Sequence, residues 1–529
     1  MTSVRTIVIA DAVREAAAHY QARRFAEAAE LYKAVLGARP GWVEIWCNLG
    51  AALQSLFQSR EAITAYQRAI ELDPGCAAAH GNMAVILLDQ GQIGAAIASY
   101  RHALAASPSA RIHSNLIYAL DLDWRTPRQD ADDERRRWYQ AHRASDEARF
   151  KTWPNTREPA RKLRVGYVSA DFCRHSIAQI LRPIVAGHDR AAFEVVCYSA
   201  TAREDDWMAF FKAHADRWRP IADLDDAAAA RLIREDAIDI LVDASGHTAG
   251  NRLTLFTAKP APIQVTAWGN LNGTQIPEID YLLGDAVTFP RALRASFAET
   301  IVDLPCALMY GAPEDAPEVE PLPAPTAGRV TFGCLNRLSK LSDQALQVWS
   351  RILRAVPDSR LLLKDRTLSD PQQRAAMIER LARVGIGADQ VVLHGATHHR
   401  DHLLVFGAVD VGLDPFPQHG GISTLEALWM GVPVISRRDD TLSSRVAASI
   451  MTTLGLTDFV VADDEAYVAR AIACAADLEG LRALRASLRT RLRATAIADG
   501  TLYLAALEDA YRAMWQRWCD AAPTASAGR

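Results

Sequence analysis

Small, aromatic and chain-breaking residues recur every 34 positions at the start of the chain: Ala28, Ala62 and Ala96; Tyr32, Tyr66 and Tyr100; Leu36, Ile70 and Leu104. Pro40, Pro74 and Pro108 keep the same interval. A small residue lets a neighbouring helix come close, and an aromatic one turn later fills the gap it leaves. A proline at the end of each unit stops the second helix. The pattern predicts helical hairpins stacked into a solenoid over residues 1–120, with a further half-unit starting at Arg111. Residues 121–160 break the pattern. They are dense in Arg, Asp and Glu, interrupted by Trp138, Tyr139 and Phe150. This segment reads as a solvated helix joining the solenoid to the rest of the chain.

From Lys162 the period shifts to short apolar runs separated by amphipathic stretches. Leu163–Val168, Phe193–Tyr198, Ile238–Val242, Ile263–Ala267 and Tyr281–Leu283 read as buried parallel strands, with a helix over Ala178–Val185. That predicts a doubly wound α/β domain over residues 161–315. Residues 316–328 lie in a run rich in proline, glycine and acid and read as a linker. A second α/β domain, 329–529, has candidate strands Val330–Cys334, Leu361–Leu363, Val391–His394, Val409–Leu413 and Val432–Ile435, and a long final helix from Leu502 to Trp518. The expected class is α plus α/β: an α-solenoid, then two doubly wound, Rossmann-like domains facing a cleft. A 34-residue period with alanine, tyrosine and a terminal proline is the tetratricopeptide signature.

The stretch Val409–Ser436 organises the second domain. An apolar run is followed by His419-Gly420-Gly421, then by a helix opening at Ser423 and Thr424 and stopping at Gly431 and Pro433. Paired glycines allow close backbone approach, and a helix N-terminus offers free N–H groups and a positive dipole end. The turn therefore suits an anion, most obviously a phosphate. Glu426, in the first turn of the helix, is either a dipole-favourable carboxylate or an acceptor for ribose hydroxyls. Neither GxxxxGK[ST] nor GxGxxG is present, which argues against a P-loop or an ordinary dinucleotide site.

A net charge of −4 offers no electrostatic case for a nucleic-acid partner. The eight cysteines are scattered without a CxxC pair, which suits reduced thiols in a cytoplasmic protein and no zinc site. The apolar run Ile7–Ala10 is too short for a signal peptide, and no stretch is long enough for a membrane helix. Five clusters fall at carboxyl ends of predicted strands, where open α/β sheets bind ligands. They are Asp171 to His175, Asp243 to His247, Asn336 to Lys340, His394 to His402, and the turn at Gly420.

In combination, RVGYVSADFCRH (164–175), DILVDASGHTAGNRL (239–253), KPAPIQVTAWG (259–269), VTFGCLNRLSKLSDQALQVWSRIL (330–353), HHRDHLLVFGAVDVGLDPFP (398–417) and GGISTLEALWMGVPVIS (420–436) resemble glycosyltransferase family 41. This is the family of O-linked N-acetylglucosamine transferase and the plant SPINDLY protein-fucosyltransferase. The resemblance implies a GT-B fold and inverting, metal-independent transfer from UDP-GlcNAc, or alternatively GDP-fucose or another sugar nucleotide, to Ser or Thr of an intracellular protein. No cofactor is implied beyond the nucleotide sugar itself. A scaffold with an inactive transferase half is the competing class.

By resemblance, Lys340 contacts the diphosphate and Gly420, Gly421, Ile422, Ser423 and Thr424 cradle it. Glu426 binds ribose, and Asn336, Arg337, Thr397 and His402 are placed with the donor. His175 stands at the reaction centre, with Asp243 and His247 as competing candidates for the base. A protein or peptide acceptor would be held on the concave solenoid face by a ladder of Asn48, Asn82 and Asn115. Four features depart from the family pattern: GGIST in the glycine turn, Arg337 where the animal enzyme has glutamine, WGNLNGT (268–274) in place of WLGYPGT, and Cys173 in DFCRH where glycine is common.

Overall fold

A computed structural model describes residues 9–439 and 442–521. Of the apolar run at the N-terminus, Ile7 and Val8 lie outside the described residues. The solenoid keeps the predicted period. Its helices are α1 (Ile9–Gln21), α2 (Phe25–Ala38), α3 (Val43–Ser55), α4 (Ser59–Leu72), α5 (Ala77–Asp89), α6 (Ile93–Ala106) and α7 (Ala110–Leu122). Each second helix ends two residues before its proline. Ala28, Ala62 and Ala96 are fully enclosed, and Tyr32, Tyr66 and Tyr100 are buried beside them.

The charged segment after the solenoid forms α8 (Arg128–His142), but it is not merely solvated. Trp138 is fully buried, and Arg135, also buried, bonds Asp121 at 2.6 Å and lies 3.4 Å from Asp132. Charge runs on a helix usually mark a wet face. Here the opposite charges neutralise one another at the seam between the solenoid and the first α/β domain.

That domain is a seven-stranded parallel sheet: β1 (Leu163–Ser169), β2 (Phe193–Ser199), β3 (Arg217–Pro220), β4 (Ile240–Asp243), β5 (Ile263–Thr266), β6 (Tyr281–Gly284) and β7 (Thr300–Asp303), in the order β3-β2-β1-β4-β5-β6-β7. The second sheet has six strands: β8 (Thr331–Cys334), β9 (Arg360–Lys364), β10 (Val391–His394), β11 (Val411–Leu413), β12 (Val434–Arg437) and β13 (Val460–Val461), ordered β10-β9-β8-β11-β12-β13. In each sheet the strand order reverses beside the first strand, between β1 and β4 and between β8 and β11. A crevice opens at such a switch point.

The final helix, Gly500–Asp520, comes after the second domain in the chain but packs on the first. Tyr503 accepts a hydrogen bond from Trp268 at 2.8 Å, Glu508 lies 2.8 Å from His188, and Tyr511 lies 3.3 Å from Tyr167. It straps the two domains together. Among the described residues no helix is long and apolar enough to cross a membrane.

Candidate active site

A cavity of about 730 Å³ lies between the carboxyl edges of the two sheets, and the solenoid closes its third side. The second domain supplies Asn336, Arg337, Lys340, His402, Gly421 to Ser423, and Glu426. Asp171, His175, Gln179 and the loop Trp268 to Asn272 come from the first domain. Solenoid residues Asp89, Tyr100, Asn115 and Tyr118 complete the wall. The sequence motifs from both α/β domains therefore meet at one place.

Lys340 ends a short 3-10 turn after β8. Its Nζ donates to the His419 carbonyl at 2.8 Å, which aims the ammonium at the start of the glycine turn. Burial, with the nearby Arg337 guanidinium, lowers its pKa to about 8, against an opposing pull from Asp414. An anion arriving beside it would reverse that penalty. The turn is held open from behind: the Gly420 N–H donates to Asp414 Oδ1 at 2.8 Å, and Ser436 Oγ donates to Asp414 Oδ2 at 3.0 Å. A Cβ at 420 would sit 2.5 Å from Thr424 Oγ1 and 2.6 Å from Ser423 Oγ, so a side chain here would displace both hydroxyls. The helix Ile422–Trp429 then begins without a side-chain cap. Its first-turn amides, with the dipole behind them, lie beside Lys340. Ile422 lines the cavity; the lost hydroxyl at this position leaves the backbone donors in place. Ser423 instead turns its hydroxyl to Asn336 Oδ1 at 2.7 Å, and Thr424 is buried.

Glu426 is engaged by three side chains. His399 Nε2 lies 2.7 Å from Oε1 and His402 Nε2 3.4 Å from Oε2. Burial alone would raise this carboxyl, but the two imidazoles outweigh it and hold it at about 2. It is a fixed carboxylate whose acceptor capacity is shared with these rings. Gln179, reaching from the first domain, donates to Oε1 at 3.3 Å and so ties the two walls together. The sequence motifs did not single out His399 or Gln179. His399 was legible as the i,i+3 companion of His402 on one helix face; Gln179 carried no signal.

His175 caps the helix Ser176–Gly187, its Nδ1 accepting from the Ile177 amide at 3.3 Å. Asp171 Oδ1 lies 3.4 Å from the same nitrogen. Burial lowers the His175 pKa and outweighs the pull of Asp171. With Nδ1 accepting that amide the neutral ring carries its proton on Nε2; a shift of the proton to Nδ1, toward Asp171, would free Nε2 as an acceptor.

Asp243 and His247 are placed elsewhere. Asp243 is fully buried behind its turn, accepting from the Ser245 and Gly246 amides at 3.1 and 2.9 Å and from Thr266 Oγ1 at 2.8 Å. Burial raises it to about 6. His247 lies in the solenoid seam, its Nδ1 3.2 Å from Ser114 Oγ and its ring edge-on to Trp138 at 5.2 Å. Neither lines the cavity. Thr397 is exposed in the loop after β10, outside the cavity lining. Asn48, Asn82 and Asn115 are all half-buried on α3, α5 and α7, the first helices of successive units, and Asn115 reaches the cavity wall. Among the described residues no group of three or more His, Cys, Asp or Glu is placed to hold a metal ion.

The family model described as "Glycosyl transferase family 41" matches residues 102–315 and 323–507, and tetratricopeptide repeat models match residues 43–76 and 77–109. The Petunia hybrida SPINDLY protein, named a probable UDP-N-acetylglucosamine–peptide N-acetylglucosaminyltransferase, is 36% identical over 377 residues, covering 70% of this chain and 40% of its own length. A Caenorhabditis elegans UDP-N-acetylglucosamine–peptide N-acetylglucosaminyltransferase is 24% identical over 477 residues, covering 68% of this chain and 41% of its own. The match to this chain thus spans about two-fifths of these curated relatives. Among solved structures, a lysine-to-methionine mutant of Thermobaculum terrenum O-GlcNAc transferase is 34% identical, with a TM-score of 0.91 over 97% of this chain and 99% of that one.

Proposed function

The chain belongs to glycosyl transferase family 41, and on that premise we propose that it transfers N-acetylglucosamine from UDP-GlcNAc to serine or threonine of a protein acceptor, inverting the anomeric carbon without a metal. The observation that carries this reading is the pairing of Lys340 with the uncapped helix N-terminus at Gly421, opposite His175. Displacement at a sugar carbon expels a diphosphate, and its growing charge must be met where it forms. The Lys340 ammonium and the first-turn amides meet it on one wall. From the other wall, His175 orients the acceptor hydroxyl and, in the tautomer whose Nδ1–H turns to Asp171, takes its proton on Nε2 as the new glycosidic bond forms. Glu426 binds the ribose hydroxyls, exchanging part of its contact with His399 and His402 for them.

The acceptor runs along the first helices of the solenoid. Asparagine amides both donate and accept, so Asn48 and Asn82 can pair with an extended backbone irrespective of its sequence. Asn115 delivers that backbone to the cavity. In this reading the protein works in the cytoplasm. GDP-fucose is the second donor, favoured by Arg337: an added guanidinium beside Lys340 suits a donor bound differently from one facing glutamine.

Binding of a sugar-nucleotide panel, read as a rise in melting temperature, chooses the donor. Intact-mass analysis of an acceptor protein then reads the transfer. The expected result is stabilisation by uridine nucleotides and addition of one N-acetylhexosamine. Stabilisation by guanosine nucleotides with a deoxyhexose added would establish the second donor. A folded protein stabilised by no sugar nucleotide would mark the chain as a scaffold.

A further inference from the structure

Two cysteines meet inside the solenoid, outside the cavity lining. Cys47 is buried on α3 and Cys76 is half-buried at the N-cap of α5, with their sulfurs 3.3 Å apart. α3 and α5 are the first helices of consecutive units. The remaining six cysteines are free and none is in a comparable pair among the described residues.

We propose that Cys47 and Cys76 are a dithiol modification site that closes to a disulfide under a thiol–disulfide oxidant, and that the link fixes the angle between successive repeats. The sulfurs must approach from 3.3 Å to about 2.05 Å for the bond to form. Cys76 can supply that movement, because it precedes the first helical turn of α5 and comes directly after the Pro74-Gly75 turn. Cys76, half-buried where Cys47 is enclosed, is also the sulfur that an oxidant reaches first, which makes it the attacking group. Cys47 stays a thiol until then: burial, and the Cys76 sulfur beside it, push its pKa up to about 12.

With a glutathione disulfide as oxidant the electrons balance. The Cys76 thiolate attacks one glutathione sulfur, forming a mixed disulfide and releasing one glutathione thiolate. That thiolate takes the Cys47 proton. Cys47 then attacks the Cys76 sulfur, and a second glutathione thiolate leaves, taking from solvent the proton that Cys76 gave up. Two protein thiols are oxidised and one glutathione disulfide is reduced to two glutathiones.

The linked helices carry Asn48, directly after Cys47, and Asn82 on α5. A fixed inter-repeat angle would therefore alter the acceptor track and leave the donor site alone. This second consequence rests on the acceptor reading above; the linkage itself does not.

The test uses the full chain in a Cys519→Ser background, since Cys519 is the other incompletely buried thiol. The protein is incubated with oxidised glutathione, alkylated under denaturing conditions and analysed by intact mass and peptide mapping. The expected product is two hydrogens lighter, with the 47 and 76 peptides joined, and is reversed by dithiothreitol. Cys47→Ser is expected to stop at the mixed disulfide, and Cys76→Ser to remain unmodified. A wild-type protein that accumulates the mixed disulfide, or stays fully reduced, overturns the proposal whatever the transferase does. With the link formed, the KM for a protein acceptor is expected to change by about threefold or more at constant donor KM. An unchanged acceptor KM in the fully linked protein overturns the coupling to the acceptor track, while the mass result still decides the linkage.

Discussion

The two α/β domains build the same local device and use it differently. In each, the strand beside the switch point ends on a buried aspartate: Asp243 at the end of β4, Asp414 directly after β11. Each carboxylate accepts a glycine amide from the turn ahead, Gly246 or Gly420, and a hydroxyl from the next strand, Thr266 or Ser436. Burial raises both, to about 6 and about 7. Beyond the aspartate the domains diverge. The turn after Asp414 opens a helix beside Lys340 and faces the cavity. The turn after Asp243 lays His247 against Ser114 and Trp138, and only its tail, Thr248 and Ala249, reaches the cavity edge. One aspartate sets the shape of the turn proposed to hold the anion; its counterpart sets the joint with the solenoid. A carboxylate at a strand end thus reports a fixed turn, and what the turn faces decides its use.

Substitutions on the cleft side and the seam side should separate sharply. His175→Ala is expected to lower kcat by about 10²–10⁴-fold, and Lys340→Ala to lower kcat/KM by about 10²–10³-fold, each with a near-native melting temperature. His247→Ala should do the reverse. Removing its ring from the seam should cost about 1–2 kcal/mol of stability in chemical denaturation, with kcat within about twofold. If His247→Ala abolished turnover in a protein that still melted normally, the seam assignment would fail.

The aspartates give a smaller and more specific contrast. Asp414→Asn should weaken donor binding by about tenfold, since it disturbs the amide of Gly420 and the charge beside Lys340. Asp243→Ala leaves two buried amides without an acceptor and should cost about 1–3 kcal/mol for each, without changing donor affinity in the protein that remains folded. Calorimetric titration of both variants with a nucleoside diphosphate checks the pair; equal losses of affinity would erase the distinction.

The pH response is set by Lys340. Its pKa, lowered to about 8 by burial, means that the ammonium loses its proton as pH rises through that value. Donor kcat/KM should therefore fall by about tenfold between pH 7 and pH 9. On the acid side, His175 keeps its neutral form below the usual histidine range, because burial lowers its pKa, so the acid limb should lie below about 6.5. The smallest effect belongs to the solenoid. Asn48→Ala and Asn82→Ala should each raise acceptor KM by about two- to fivefold, the loss of one net hydrogen bond, at constant donor KM.

The core strands of both sheets were legible as apolar runs because both their faces are covered. The three strands that periodicity missed, β3, β7 and β13, are all sheet edges. β3 reads RWRP, with no apolar run and a terminal proline, and β13 has only two residues. Edge strands pair on one side and face water, so their sequences carry less of the buried-strand pattern. The final helix was legible as a helix, but nothing in its spacing says that Tyr503 and Tyr511 pack on the first domain. The repeat was legible to the residue, since a 34-residue period leaves little freedom. The site motifs were visible as clusters, and most of them do line the cavity. The direction each turn faces depends on how three units dock, which a local motif does not encode; hence Asp243 and His247 stood beside His175 as candidates for the base.

The most direct test is titration of wild type, Lys340→Ala and His247→Ala with uridine diphosphate and guanosine diphosphate, with folding monitored in parallel. One nucleotide should bind the wild type and His247→Ala alike, and Lys340→Ala should lose about tenfold or more in affinity. Equal binding by Lys340→Ala, or binding by none of the folded proteins, would contradict the claim that the turn at Gly420 is the diphosphate site.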